Sequence, residues 1–221
     1  MEGLFFESAM RPNQDPRDRP EIIALGGPNG AGKTTTASRI LPHGLNEGRF
    51  LNADFMAKAI SPHDPAGAAI EAGRMMLGRM RRYRKERKSF SFESTLASLG
   101  FARFLEEAKA EGYVVRLGYV TLPSPELSIH RVSQRVSRGG HDIPEPVIRR
   151  RYWRSLVNFE TLYRPLCDAW TVYDNRTEEL RPIASQRHQQ RPRIHEPELW
   201  TEFATLRTRA LEGRVPDHGL Q

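Results

Sequence analysis

Cysteine is almost missing from this chain: one residue, Cys167, in 221. A single thiol cannot close an internal disulfide, which excludes a disulfide-stapled scaffold and points to a reducing, cytoplasmic setting. No run of about 18 apolar residues occurs, so the sequence offers no membrane-spanning helix. Where a secretory signal would need an apolar stretch, the first twenty residues hold Glu2, Glu7, Asp15 and Asp18. No internal repeat is visible. An acidic excess is missing too. The chain has 34 Lys and Arg against 27 Asp and Glu, a net +7. That excludes an acidic solvating protein and directs attention to nucleic acid, a membrane surface or phosphorylated ligands.

What is present is enough apolar sequence, 38% of residues, for one large domain with tails. The positive charge is concentrated. Residues 79–88 carry +6 and residues 131–154 carry +5, leaving −4 for the remainder.

Short apolar runs alternate with helical patterns. Strands are expected at 21–26, 49–54, 89–93, 113–120 and 169–173. Helices are expected at 33–41, 64–84, 100–111, 125–138 and from Pro144 past Trp153. Strands that alternate with helices require crossover connections and a parallel sheet, with functional groups at the carboxyl ends of its strands. The expected organisation is a flexible leader at 1–20, an α/β domain at 21–175 and a loosely packed tail at 176–221 with one helix near 198–212.

Gly27-Pro28-Asn29-Gly30-Ala31-Gly32-Lys33-Thr34 fits the pattern G-x-x-x-x-G-K-[ST] in full. Gly27, Gly30 and Gly32 let the backbone turn and bring its N–H groups onto phosphate oxygens. The helix that follows adds its positive end, Thr35 extending the binding segment into it. In this pattern Lys33 reaches the β- and γ-phosphates of ATP and the Thr34 hydroxyl ligates Mg²⁺. An apolar strand before and a helix after supply the required context. The fold expected is a P-loop NTPase three-layer sandwich with a mainly parallel five-stranded sheet.

Asp54 and Glu93 close the second and third expected strands. Phosphoryl transfer needs a carboxylate to orient and deprotonate an attacking hydroxyl, and Asp54 at a strand end can be that base. Glu93, with Ser94 and Thr95 beside it, can bind substrate hydroxyls or a metal-bound water. The structural alternatives are a helix N-cap for Asp54 and a surface strand end for Glu93.

Arg131, Arg135 and Arg138 recur at helical spacing on one face. With the Gly139-Gly140 break, His141 and Arg149-Arg150-Arg151, they describe a helical lid at about 131–154 that folds arginines over a γ-phosphate. A solvated basic face is the alternative. In residues 79–88 the basic side chains point to all sides of a helix end, and exposure is expected for most. Cys167, Trp153, Trp170 and Tyr173 read as core residues.

Five segments in order, Gly26 to Thr34, Phe50 to Asp54, Phe92 to Thr95, Arg135 to His141 and Tyr173 to Asn175, resemble the zeta-toxin family of P-loop kinases. The resemblance covers roughly residues 20–175 and is closest to the chromosomal branch. It implies an ATP/Mg²⁺-dependent phosphotransferase acting on a hydroxyl of UDP-N-acetylglucosamine, and an antitoxin protein as partner. It also implies P-loop roles for Lys33 and Thr34, the general-base role for Asp54 and sugar-nucleotide binding by Glu93 and Thr95. For the lid it implies phosphate contacts from Arg131, Arg135 and one of Arg149 to Arg151, with Arg151 the candidate. The lid's Gly-Gly-His element and arginine run depart from the plasmid toxins. A nucleic-acid 5′-hydroxyl kinase and an ATP-dependent binding switch remain the alternative readings, and no membrane partner is expected.

Overall fold

The computed structural model describes residues 19–42, 45, 48–65, 67–140, 142–177, 179–187 and 190–213. Most of the expected leader, His141 and residues 214–221 lie outside the described residues.

The centre is a single sheet built on β1 (Glu21–Gly26), whose Ile22 to Leu25 are wholly buried. A strand covered on both faces has to be apolar at successive positions, and β1 is. Its side chains alternate between two layers. Ile23 and Leu25 pack with Ala37 and Leu41 on the side of α1 (Lys33–Ile40). Ile22 and Ala24 join the larger core on the opposite face.

Strand β2 (Phe50–Leu51), β3 (Phe90–Glu93), β4 (Val114–Thr121) and β5 (Ala169–Asp174) run parallel to β1 in the order β2-β3-β1-β4-β5. From β1 the chain turns toward β2 and β3; from β4 it turns toward β5. A crevice therefore opens at the carboxyl ends beside β1. The elements between are α2 (Ala53–Ile60), α3 (Ala69–Lys85), α4 (Gly100–Ala110), α5 (Pro125–Ser137) and α6 (Glu145–Asn158). The helix expected over 64–84 is α3, which begins at Ala69, and α2 is an additional helix that starts where the longer second strand was expected. A π-helical turn, Phe159–Tyr163, and the short α7 (Arg164–Leu166) continue from α6.

The sheet has seven strands among the described residues, not five. Antiparallel β6 (Arg181–Arg187) pairs with β5, and β7 (Arg193–Ile194) with β6. Both come from the segment expected to be a loosely packed tail. So does α8 (Pro197–Leu211), which buries Phe203 and Ala210. Trp200 of α8 stacks on Trp170 of β5 at 6.1 Å and 11° between planes. Phe203 meets Tyr119 and Phe159 at 5.9 and 5.8 Å. The tail is bound in because apolar faces of β5 and α6 are otherwise left in water.

Candidate active site

β1 delivers the phosphate loop to the crevice, and its glycines answer to packing as much as to turning. Gly27 has φ 140°, and a Cβ there would lie 2.1 Å from the Val120 carbonyl oxygen of β4. Gly30 has φ 71°, and its Cβ would lie 2.8 Å from the Ser128 carbonyl oxygen of α5. Only glycine allows this close backbone approach with positive φ. Asn175, just past β5, donates Nδ2 to the Ala31 carbonyl at 2.7 Å and closes the loop's far side. Pro28 sits at the turn between the first two of these contacts.

Lys33 is buried, and Nζ donates to the Pro28 carbonyl at 2.9 Å. Burial pushes its pKa below the ordinary lysine range. The charges of Glu93 and Asp54 oppose this, while Arg135 and Arg151 add to it. The first turn of α1 holds no acidic residue, so its positive end is left for an anion. Thr34 and Thr35 stand exposed in that turn. Asn29 Oδ1 is buried without a hydrogen-bond partner among the described residues, and Asn29 faces the cavity.

Glu93 ends β3 as expected. Its Oε2 accepts from Thr34 Oγ1 at 2.8 Å and from Asn52 Nδ2 at 3.0 Å. Asn52 also caps α2, its Oδ1 accepting from the Asp54 and Phe55 N–H groups at 2.8 and 3.2 Å. Asp54 is therefore in the first turn of α2, not at the end of a strand. β2 stops at Leu51, and the capping residue is Asn52. A carboxylate there complements the helix dipole, and its charge reaches Lys33 and Arg151. Among the described residues no three His, Cys, Asp or Glu side chains gather to hold a metal alone. The adjacent Thr34 hydroxyl and Glu93 carboxylate are oxygen donors that suit Mg²⁺ when phosphate oxygens complete the shell.

α5 begins at the Ser124 cap, with Pro125 in its first turn. It ends where Gly139 N–H donates to Val136 O and Gly140 N–H to Arg135 O, at 2.9 Å each. This Schellman ending needs the positive φ of Gly139, 81°. The three arginines of α5 divide by position. Arg131 and Arg135 line two cavities that meet at the phosphate loop, and Arg138 lines only the second. The first cavity, of about 650 Å³, holds Asp54, Glu93, Thr95, Arg150, Arg151 and Arg154. The second, of about 690 Å³, holds Arg39, Asn175 and Thr177. Gly30, Gly32 and Thr35 belong to both.

The run on α6 divides as well. Arg149 is tied to Glu126 of α5 at 2.6 Å and to Glu145 at 2.7 Å, so it joins the two helices at the surface. Arg151 turns into the cavity, where burial lowers its pKa, Asp54 raises it and Arg150 lowers it.

The zeta toxin family model matches residues 7–186. This chain belongs to the zeta toxin family. By that membership it is a kinase. An uncharacterised protein of Haemophilus influenzae (strain ATCC 51907 / DSM 11121 / KW20 / Rd) is 33% identical over 135 residues, 60% of this chain and 92% of that one. Among solved structures, AvrRxo1-ORF1 in complex with AvrRxo1-ORF2 and ATP superposes with a TM-score of 0.65 at 17% identity, over 84% of this chain. The chain spans 63% of the length of that protein. The structure from the PezAT chromosomal toxin–antitoxin system of Streptococcus pneumoniae gives a TM-score of 0.55 at 17% identity, over 90% of this chain and 89% of that one. At these identities the likeness is one of fold.

Of the residues gathered at the site, Asn52, Arg154 and Asn175 were not among the candidates read from the sequence. Asn52 had a readable signal, an asparagine directly before a helix. Asn175 closes one of the five family-like segments, but no local pattern shows its role, because its partner lies 144 residues away. The basic stretch 79–88 also resolves. Arg82 and Lys88 pair with Glu86, Arg84 with Glu107 and Glu111, and Arg87 donates to the Glu111 carbonyl. Arg84 also lies 5.0 Å from the Phe104 ring. The Arg84 and Arg87 contacts fasten the end of α3 to α4 and the residue that follows it. Cys167 is half-buried, and burial pushes its thiol pKa up, which keeps it protonated.

Proposed function

We propose that this protein transfers the γ-phosphoryl group of ATP to a hydroxyl of a small phosphorylated acceptor, with UDP-N-acetylglucosamine the first to test. The observation that carries the reading is the pair of cavities meeting at the phosphate loop. A bisubstrate transfer needs a donor chamber and an acceptor chamber with cations at their junction. A binding switch needs only the first. In this reading the second cavity takes the nucleoside, and the first takes the acceptor.

The residues then act as follows. Backbone N–H groups of Asn29 to Thr34, with Lys33 and Arg131, hold the phosphates. Arg135 and Arg151 spread the charge that develops on the transferred group. Asp54 orients the acceptor hydroxyl and takes its proton as the oxygen bonds to the γ-phosphorus. The bond from that phosphorus to the β–γ bridging oxygen breaks, and ADP leaves. Thr34 and Glu93 would hold Mg²⁺, which neutralises phosphate charge when bound. Glu93 and Thr95 hold the acceptor. Arg150 and Arg154, without carboxylate partners among the described residues, favour an acceptor that is itself anionic. Four of the seven basic side chains in residues 79–88 are engaged in intramolecular contacts, which weakens the main support for a nucleic-acid acceptor. A protein antitoxin that closes the site is part of the same proposal.

The test is incubation with γ-labelled ATP and a panel of UDP-sugars, nucleosides and 5′-hydroxyl oligonucleotides. Label should pass to a UDP-sugar, and Asp54→Ala should keep ATP affinity while transfer falls by about 10²–10⁴-fold. Label passing only to oligonucleotides, or slow hydrolysis with no acceptor labelled, overturns the proposal.

A further inference from the structure

Residues 94–99, between β3 and α4, carry Thr95 and contribute Ser94, Thr95, Ala97 and Ser98 to the wall of the first cavity. The backbone there is held in an unfavourable shape. Leu96 is fully buried with φ 57°, the left-handed region that a leucine avoids. Its side chain occupies the space that Gly26 leaves open, where a Cβ would stand 2.3 Å from Leu96 Cδ1. The loop's entry is fixed by one bond to β1 and one within the loop: Ser94 N–H donates to the Leu25 carbonyl at 2.9 Å and Leu96 N–H to Ser94 Oγ at 3.0 Å. A strained conformation persists only where its surroundings over-determine it.

The crest of the loop is held from outside. Asn158 Nδ2 donates to the Leu96 carbonyl, and Tyr163 Oη to the Ser98 carbonyl, both at 2.7 Å. Asn158 is the last residue of α6, and Tyr163 ends the π-helical turn that follows. The wider turn lets two side chains five positions apart reach carbonyls two residues apart. Such turns concentrate at functional sites. Neither side chain lines the cavity. Upstream on the same helix, Arg154 and Arg151 stand four and seven residues before Asn158, on one face. One rigid element thus bears cavity arginines and brackets the loop opposite them.

We infer that Asn158 and Tyr163 are positioning residues for the acceptor. They hold Thr95 and its neighbours in the shape that receives it and set that loop at a fixed distance from Arg151. The inference rests on the acceptor reading proposed above. It assigns the π-helical turn a role in acceptor specificity and gives neither residue a part in nucleotide binding.

The variants are Tyr163→Phe, which removes one hydroxyl from an intact ring, and Asn158→Asp, which keeps the shape but removes the amide donor. Each is studied in the full chain. Amide hydrogen exchange across residues 94–99 is measured without ligand, and KM is measured separately for ATP and for UDP-N-acetylglucosamine. Loss of one buried hydrogen bond should speed loop exchange about tenfold and raise the acceptor KM about tenfold, with the KM for ATP within about twofold. Asn158→Gln, which retains a donor, should recover part of the acceptor KM. Unchanged exchange in both variants overturns the inference, as does a rise in both KM values together. With a wild type that phosphorylates no acceptor, the proposed function falls. Exchange still decides the bracket, and a loop that stays protected in both variants overturns it.

Discussion

Replacing Phe203 with alanine measures how far the C-terminal segment belongs to the core. The side chain is 2% exposed and meets three rings, Trp200 at 5.7 Å, Phe159 at 5.8 Å and Tyr119 at 5.9 Å. The Arg207 guanidinium lies 5.1 Å from its ring centre. Truncation of a fully buried phenylalanine costs about 3–5 kcal/mol, from lost transfer free energy and from the cavity left behind. Partners on α8, β4 and the π-helical turn cannot all close in at once, which favours the upper half of that range. In a domain of this size each kcal/mol lowers the melting temperature by about 2–4 °C, so a fall of about 6–20 °C is expected. Calorimetry on the full chain is the assay. The control is Leu211→Ala, at a side chain 48% exposed on the same helix, expected to cost no more than about 0.5 kcal/mol. A Phe203→Ala midpoint within about 2 °C of wild type would refute the reasoning and return α8 to the status of a loose appendage.

Two predictions concern the site. Arg151→Ala should lower turnover by about 10²–10³-fold, whereas Arg149→Ala, already held by Glu126 and Glu145, should change it by no more than about threefold in steady-state assays. Equal losses would dissolve the distinction between the two. The second concerns Lys33, whose pKa burial depresses in the free protein. Phosphate oxygens favour the charged form and raise that pKa on binding, so the complex holds more protons than its parts. Nucleotide binding should therefore take up protons in the pH window between the depressed pKa and that of the complex. Calorimetric titration in two buffers of different ionisation heat gives the sign, and proton release there would contradict it.

The phosphate loop could be read from the chain because its information is local. Four specified positions within eight residues fix the spacing, and Gly30 and Gly32 show the positive φ that their identity suggests. β1 was legible for a similar reason, Ile22 to Leu25 being an unbroken apolar run. β6 was not. Arg181-Pro182-Ile183-Ala184-Ser185-Gln186-Arg187 buries only Ile183 and Ala184, and it becomes a strand by pairing with β5. The run Arg149-Arg150-Arg151 was visible as charge, but consecutive helical positions point about 100° apart. Which of them faces the cavity depends on Glu126, 23 residues away. Asn158 and Tyr163 were invisible for the same cause: their partners lie 62 and 65 residues distant.

The sheet's margins bear on how a partner protein can engage this kinase. Among the described residues both outermost strands, β2 and β7, are only two residues long. Arg193 occupies the β7 edge, directly after Pro192, which has no N–H to offer. Short, charged margins give an incoming strand too few free N–H and C=O groups to extend the sheet. Attachment by strand addition is thereby disfavoured, and so is the chance edge-to-edge pairing that leads to aggregation. A protein that docks on this chain would therefore meet helices and loops in preference to a sheet edge.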